Sequence, residues 1–242
     1  MILEICANSF ESALAAQEAG AHRIELCTEL SVGGLTPSFG LLEKVLVELT
    51  IPVHVLIRPR SGNFSYTETE LDVMLRDIET CKELGCDGIV SGALTKDLTL
   101  DLEITKLLKE TSGNMEFTFH RAFDWVQDPL EALEQLIALK VTRILTSGQK
   151  TSAIEGIALL NKLKDKAGNA IQIMPGGGIH AGNCIQFKEA GFKTLHFSAT
   201  KKVQTLEKQP RISMHNSLLF KEGIVATSSV KKIKEIESLL TK

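Results

Sequence analysis

Aromatic residues are scarce in this chain, with one Trp, one Tyr and ten Phe making 5% of 242 residues. Neither sign of charge dominates: 27 Lys and Arg stand against 30 Asp and Glu, for a formal net charge of -3. A nucleic-acid partner is therefore not expected, because phosphate-backbone binding relies on a concentrated basic face. No apolar run approaches the roughly 20 residues that span a bilayer, and the N-terminal MILEICANSF enters a strand pattern without a basic or long apolar leader. The expectation is a cytosolic protein with no membrane partner. Five cysteines, an odd number without C-x-x-C pairing, argue against a disulfide framework and for reduced thiols.

Against these absences stands a regular alternation. Short β-rich runs are expected at Ile2–Cys6, Arg23–Cys27, Val53–Arg58, Gly88–Ser91, Glu116–His120, Arg143–Thr146, Ile171–Met174 and Thr194–Ser198. Helical patterns follow at Ser9–Ala19, Ser38–Leu49, Thr69–Leu84, Leu102–Glu110, Pro129–Leu139, Ser152–Lys164, Gly182–Ala190 and Ser229–Leu240. Eight β-α units in about 240 residues predict an α/β fold of the (β/α)8 TIM-barrel type, in a single domain spanning residues 1–242. Many strands alternate: Glu4 lies among Ile2, Leu3 and Ile5; Glu25 between Ile24 and Leu26; Thr118 between Phe117 and Phe119; His196 between Leu195 and Phe197. With the apolar set facing the helices, the polar set points into the barrel. Residues 199–228 show no clear period and read as a long irregular loop, placed to fold over the mouth or to form a subunit contact.

Barrel sites form at the C-terminal strand ends. Those ends carry Cys6 and Asn8, Glu25 and Cys27, Arg58 and Arg60, Ser91, His120, Arg121 and Asp124, Thr146 and Ser147, Gly176 to Gly178, and His196 with Ser198. Cys6 and Cys27 each follow an inward glutamate by two residues on consecutive strands, so their thiols are candidates to share a soft ion such as Cu(I). His120, His196 and Glu25 form either a two-histidine, one-carboxylate metal set or an acid–base group for a carbonyl or sugar substrate. Arg58 and Arg121, with the Gly176, Gly177 and Gly178 turn at an expected helix start, suggest a small anionic or phosphorylated ligand. Ion pairing of the arginines to Glu4, Glu25 or Asp124, and a simple tight turn for the glycines, are the structural alternatives. His54, at the opposite end of its strand, fits a packing or hydrogen-bonding role, and Cys81, Cys86 and Cys184 fit structural ones. No lysine lies inside an assigned strand, which argues against a Schiff-base aldolase.

The stretches Leu3–Asn8 (LEICAN), Gly20–Pro37 (GAHRIELCTELSVGGLTP), Ile57–Tyr66 (IRPRSGNFSY), Thr118–Asp124 (TFHRAFD), Arg143–Gly148 (RILTSG) and Met174–Ile179 (MPGGGI) resemble the CutC family of copper-homeostasis proteins. The resemblance implies a (β/α)8 barrel, a cytoplasmic location, copper binding with Cys6 and Cys27 as thiol ligands, and a homo-oligomer, dimer or tetramer. It departs at Asn63, where the family commonly has Asp, and at Lys140 and Val141, which replace a glycine-containing turn. After Ala199 it is loose, around residues 211–216. Two functions follow: copper homeostasis with a metal ion in the mouth, or an enzyme of lyase, isomerase or hydrolase type working on a small anionic metabolite through His120, Glu25 and His196.

Overall fold

The computed structural model describes residues 1–208, 211–212 and 224–241. Eight short strands, β1 (Ile2–Ala7), β2 (Arg23–Leu26), β3 (Val53–Leu56), β4 (Gly88–Ser91), β5 (Glu116–Phe119), β6 (Arg143–Thr146), β7 (Gln172–Pro175) and β8 (Thr194–Phe197), form one parallel sheet in sequential order, with β8 returning to β1. A parallel bridge between Gly176 and His196 closes the ring where β7 meets β8. The fold is a (β/α)8 barrel.

Helices α1 (Phe10–Glu18), α2 (Phe39–Glu48), α3 (Glu68–Glu83), α4 (Leu102–Thr111), α5 (Pro129–Ala138), α6 (Ile157–Ala167) and α7 (Cys184–Glu189) follow the strands. Several starts are set by side chains that take up otherwise unpaired helix amides. Asp128 accepts from the Leu130 and Glu131 amides with Pro129 in the first turn, and Thr67 forms a reciprocal capping box with Glu70. The helix expected from Ser152 begins at Ile157 instead. Residues before it are tied elsewhere: the Ala153 amide donates to the Gly177 carbonyl at 2.9 Å, and the Ser152 amide to Glu155 at 3.1 Å. Lys140 holds φ +55°, the left-handed region that a glycine enters at least cost.

The apolar core lies between barrel and helices, where Leu3, Ile5, Ile24, Leu26, Phe117, Phe119 and Leu195 are buried. The opposite strand faces put Glu4, Arg23, His54, Thr118 and Arg143 inside, also buried. There Arg23 pairs with Glu4, and Arg143 pairs with Glu116 while its Nη1 lies 3.1 Å from Thr118 and 3.3 Å from His54. Charge in the barrel floor is thus matched pairwise, as buried charge must be.

The segment after β8 is not irregular throughout. β9 (Thr200–Gln204) and β10 (Ile224–Ser228) form an antiparallel ribbon, whose base is tied to the first β-α loop by Asn8 donating to the Ala226 carbonyl and to α1 by the Ser228 amide donating to Ser12, each at 3.0 Å. The final helix, α8 (Val230–Thr241), buries Ile233, Ile236 and Leu240. His215 and residues 213–216, where the family resemblance loosens, lie outside the described residues.

Candidate active site in the barrel mouth

The C-terminal strand ends surround a cavity of about 630 Å³ lined by Cys6, Glu25, Arg58, Phe64, His120, Arg121, Asp124, Trp125, Gly177, Gly178, His196 and Ser198, among others. That lies within the roughly 300–1,000 Å³ of small-molecule sites.

Its polar pole is built by β1, β2 and β8. The register pairs Glu4 with Arg23 and Cys6 with Glu25 on one side, and Glu4 with His196 on the other. Cys6 and Cys27, equivalent in sequence, therefore do not sit level. Cys6 stands beside Glu25, and its Sγ still approaches the Cys27 Sγ to 3.6 Å. The Cys6 thiol also donates to Glu25 Oε1 at 3.6 Å. The hydrogen bond to Cys27, burial and the neighbouring Glu25 charge all push the Cys6 thiol well above its usual range.

Glu25 is the most reactive-looking group of the mouth. Burial raises its carboxyl, the Glu4 charge adds to this, and His196 and the Cys6 thiol only partly offset it. Its Oε2 is buried without a hydrogen-bond partner. His196 Nδ1 lies 2.8 Å from Glu4 Oε1. Burial opposes ionisation of Glu4, but the His196 hydrogen bond and the Arg23 charge overcome it, holding the carboxyl far below its ordinary range. Nδ1–H must therefore donate to an ionised Glu4, which leaves Nε2 for a ligand. Burial disfavours the charged His196 ring, yet the Glu25 charge and the Glu4 bond prevail and raise its pKa.

His120 differs. Its Nδ1 accepts from the Ala122 amide at 3.4 Å, capping a 3-10 turn over Arg121–Trp125. Burial and the Arg58 charge lower its pKa to about 3. The ring is neutral with its proton on Nε2, a buried atom without a partner. It is built as a hydrogen-bond donor to a ligand oxygen rather than as a base, the kind of neutral imidazole that polarises a carbonyl.

The expected anion clamp is changed. Arg58 Nη1 donates to the Val32 and Gly34 carbonyls at 2.7 and 3.0 Å and Nη2 to the Gly62 carbonyl at 3.0 Å, so its fork is occupied by loop backbone. Arg60 turns from the mouth to pair with Glu70. Arg121 binds Asp124 at 2.7 Å and Ser147 at 2.9 Å. Gly176 sits in the β7–β8 seam, where a Cβ would fall 2.4 Å from Leu145, while Gly177 and Gly178 reach the cavity wall. Their turn does not open a helix, since α7 starts only at Cys184 and has six residues. Asp124, a strand-end residue and an expected ion-pair partner of the arginines, also organises the wall: it accepts from Thr146 at 2.5 Å and from the Ser147 and Gln149 amides at 2.9 and 3.2 Å. Elsewhere, His54 bonds in the barrel floor, 3.3 Å from Glu116, and Cys81, Cys86 and Cys184 are buried free thiols.

The sequence profile of the CutC family matches residues 1–201. This chain belongs to the CutC family. A family protein CutC from Bacteroides fragilis is 43% identical over 98% of this chain and 97% of its own, and one from Chromobacterium violaceum 47% identical over 84% and 82%. The crystal structure of the Streptococcus agalactiae CutC, described provisionally as a copper homeostasis protein, superposes with a TM-score of 0.77 at 38% identity over 82% of this chain and 98% of that one. Among the described residues, no helix is long and apolar enough to cross a membrane.

The donor chemistry of the mouth admits a soft metal ion. Cys6, Glu25 and His196 each offer one ligand atom, all within 4.8 Å of one another. With metal–ligand bonds of about 2.0–2.3 Å, a small contraction would bring them onto one ion, and Glu4 behind His196 is the carboxylate partner that orients ligating histidines. The Cys6–Cys27 separation of 3.6 Å fits a bent S–metal–S angle, since a linear pair would need roughly 4.6 Å at such bond lengths. Binding would have to expel the Cys6 proton.

Proposed function

We propose that this CutC protein is an enzyme that works by general acid–base chemistry on a small polar metabolite held in the barrel mouth, of lyase, isomerase or hydrolase type. One observation carries the reading: Glu25, with raised pKa and an unpartnered Oε2, stands beside a His196 locked onto Glu4, at the wall of a cavity far larger than an ion requires. A titratable group strongly perturbed by burial and by a specific charged partner, sitting in a cleft, is the physical signature of a candidate catalytic site. Glu25 Oε2 removes a proton from the substrate, His196 Nε2 delivers one to the oxygen that accepts it, and His120 Nε2–H holds a substrate oxygen.

The test compares purified wild type with Glu25→Gln against a pooled metabolite extract, followed by mass spectrometry. Wild type is expected to deplete at least one compound that Glu25→Gln spares or converts at least about 100-fold more slowly, the usual weight of a general base. Equal depletion by both folded proteins, or none by either, overturns it.

The adjacent Cys6, Cys27, Glu25 and His196 donors favour a second reading, in which Cu(I) is carried in the same mouth. Anaerobic titration against a competing chelator is expected to show one tight site that the Cys6→Ser, Cys27→Ser double variant loses. Equal binding by both proteins excludes it.

A further inference from the structure

The two sides of the mouth are chemically opposite. In a ring of eight strands in sequential order, β5 faces β1 across the barrel. The acid–base pole of Cys6, Glu25 and His196 lies on β1, β2 and β8, and the loop after β5 supplies the far wall. That wall is aromatic. Trp125 ends the 3-10 turn, leaves 46% of its surface exposed, and lines the cavity. Its ring stands edge-on to Phe64, with centroids 4.9 Å apart at 71°, and Phe64 is itself edge-on to His120 at 4.8 Å and 61°. The indole is thus held against a second aromatic ring of the cavity wall, with the unpartnered His120 Nε2 nearby.

The same wall offers little to an anion. Both Nη atoms of Arg58 are bonded to backbone carbonyls, which leaves only its buried Nε without a partner, Arg121 is paired with Asp124, and among the described residues no lysine lines the cavity. A phosphate or carboxylate entering here would find no free guanidinium pair and would face Glu25. A flat apolar surface on one side, hydrogen-bonding atoms at its edge and opposite it, and no open guanidinium fork among the described residues together describe a ligand with one C–H face and a rim of hydroxyls.

We infer that the mouth takes an uncharged polyhydroxylated ring, a sugar or simple glycoside, whose C–H face lies on Trp125 while its hydroxyls reach His120 Nε2 and Glu25 Oε2. This rests on the acid–base reading and replaces the anionic ligand expected from the sequence.

The chain contains one tryptophan, so its indole fluorescence comes from Trp125 alone. The experiment titrates the full chain with glucose, methyl and phenyl β-glucosides, glucose 6-phosphate and adenosine, reading fluorescence and, in parallel, calorimetry. A saturable fluorescence change with the neutral sugar or glycosides is expected, with glucose 6-phosphate binding at least about 10-fold more weakly than glucose. Calorimetry on Trp125→Leu should show at least about 10-fold weaker binding, restored by Trp125→Phe. Tighter binding of the phosphorylated sugar, binding of adenosine alone, no binding by any sugar, or unchanged affinity in a folded Trp125→Leu overturns the inference. The two proposals fail separately. Glu25-dependent turnover of a compound that is not a sugar sinks the ligand class and leaves the acid–base reading standing. Sugar binding without Glu25-dependent turnover does the reverse.

Discussion

His120 has a titration consequence that separates it from its neighbours. In the folded chain its pKa is about 3, against about 6.5 for an unfolded histidine. Below pH 6.5 the unfolded chain binds a proton that the native ring refuses, so stability falls with pH, by about 2 kcal/mol at pH 5 relative to pH 7.5. His196 runs the other way: its raised pKa contributes stability below 6.5 that is lost as pH rises through its folded value. Urea unfolding of wild type and His120→Asn at the two pH values should show the acid loss reduced by about 2 kcal/mol in the variant. Identical losses would mean that the ring is charged when folded. From sequence the two histidines looked alike, each in an alternating strand pattern. Their difference comes from partners far along the chain, Glu4 for His196 and Arg58 for His120, which no local pattern exposes.

The turn after β6 depends on one carboxylate. Asp124 holds the Thr146 hydroxyl, the Ser147 and Gln149 amides and the Arg121 guanidinium. Asp124→Ala would leave buried donors unpaired, at about 1–3 kcal/mol each if no water replaces it. Thermal or denaturant unfolding should show a loss of at least about 2 kcal/mol, whereas Thr67→Ala, which removes only the exposed cap of α3, should cost about 1 kcal/mol. A smaller loss for Asp124 than for Thr67 would contradict this account. Secondary structure was legible at this level because strands and helices repeat with different periods and Asp128-Pro129 marks a helix start. The direction of Arg60 was not: IRPR reads as two arginines at one strand end, but Glu70 draws Arg60 outward while loop carbonyls hold Arg58 inward.

Across the whole barrel, the eight units and the polar interior could be read from alternation alone, since Glu4, Glu25, Thr118 and His196 are all buried. Strand register could not. Cys6 and Cys27 follow their glutamates identically, yet the stagger of a closed ring sets Cys6 level with Glu25. Closure itself is uneven, because among the described residues β7 and β8 share the Gly176–His196 bridge where other neighbours share ladders. Hydrogen exchange followed by mass spectrometry should show peptides covering β7 and β8 opening at lower free energy than those of β1 to β3. Uniform protection around the ring would refute a weak seam.

The Glu4–His196 bond joins residues 192 positions apart. At ribosomal rates of about 5–20 residues per second, Glu4 is made roughly 10–40 s before its histidine exists. Until then the first strand carries a carboxylate with no imidazole to receive it, and an unfinished chain has no proton-transfer pair. On the proposed acid–base reading, activity would therefore arrive only with the eighth strand, and a nascent or prematurely terminated product would be silent toward substrate however much of the barrel it has built.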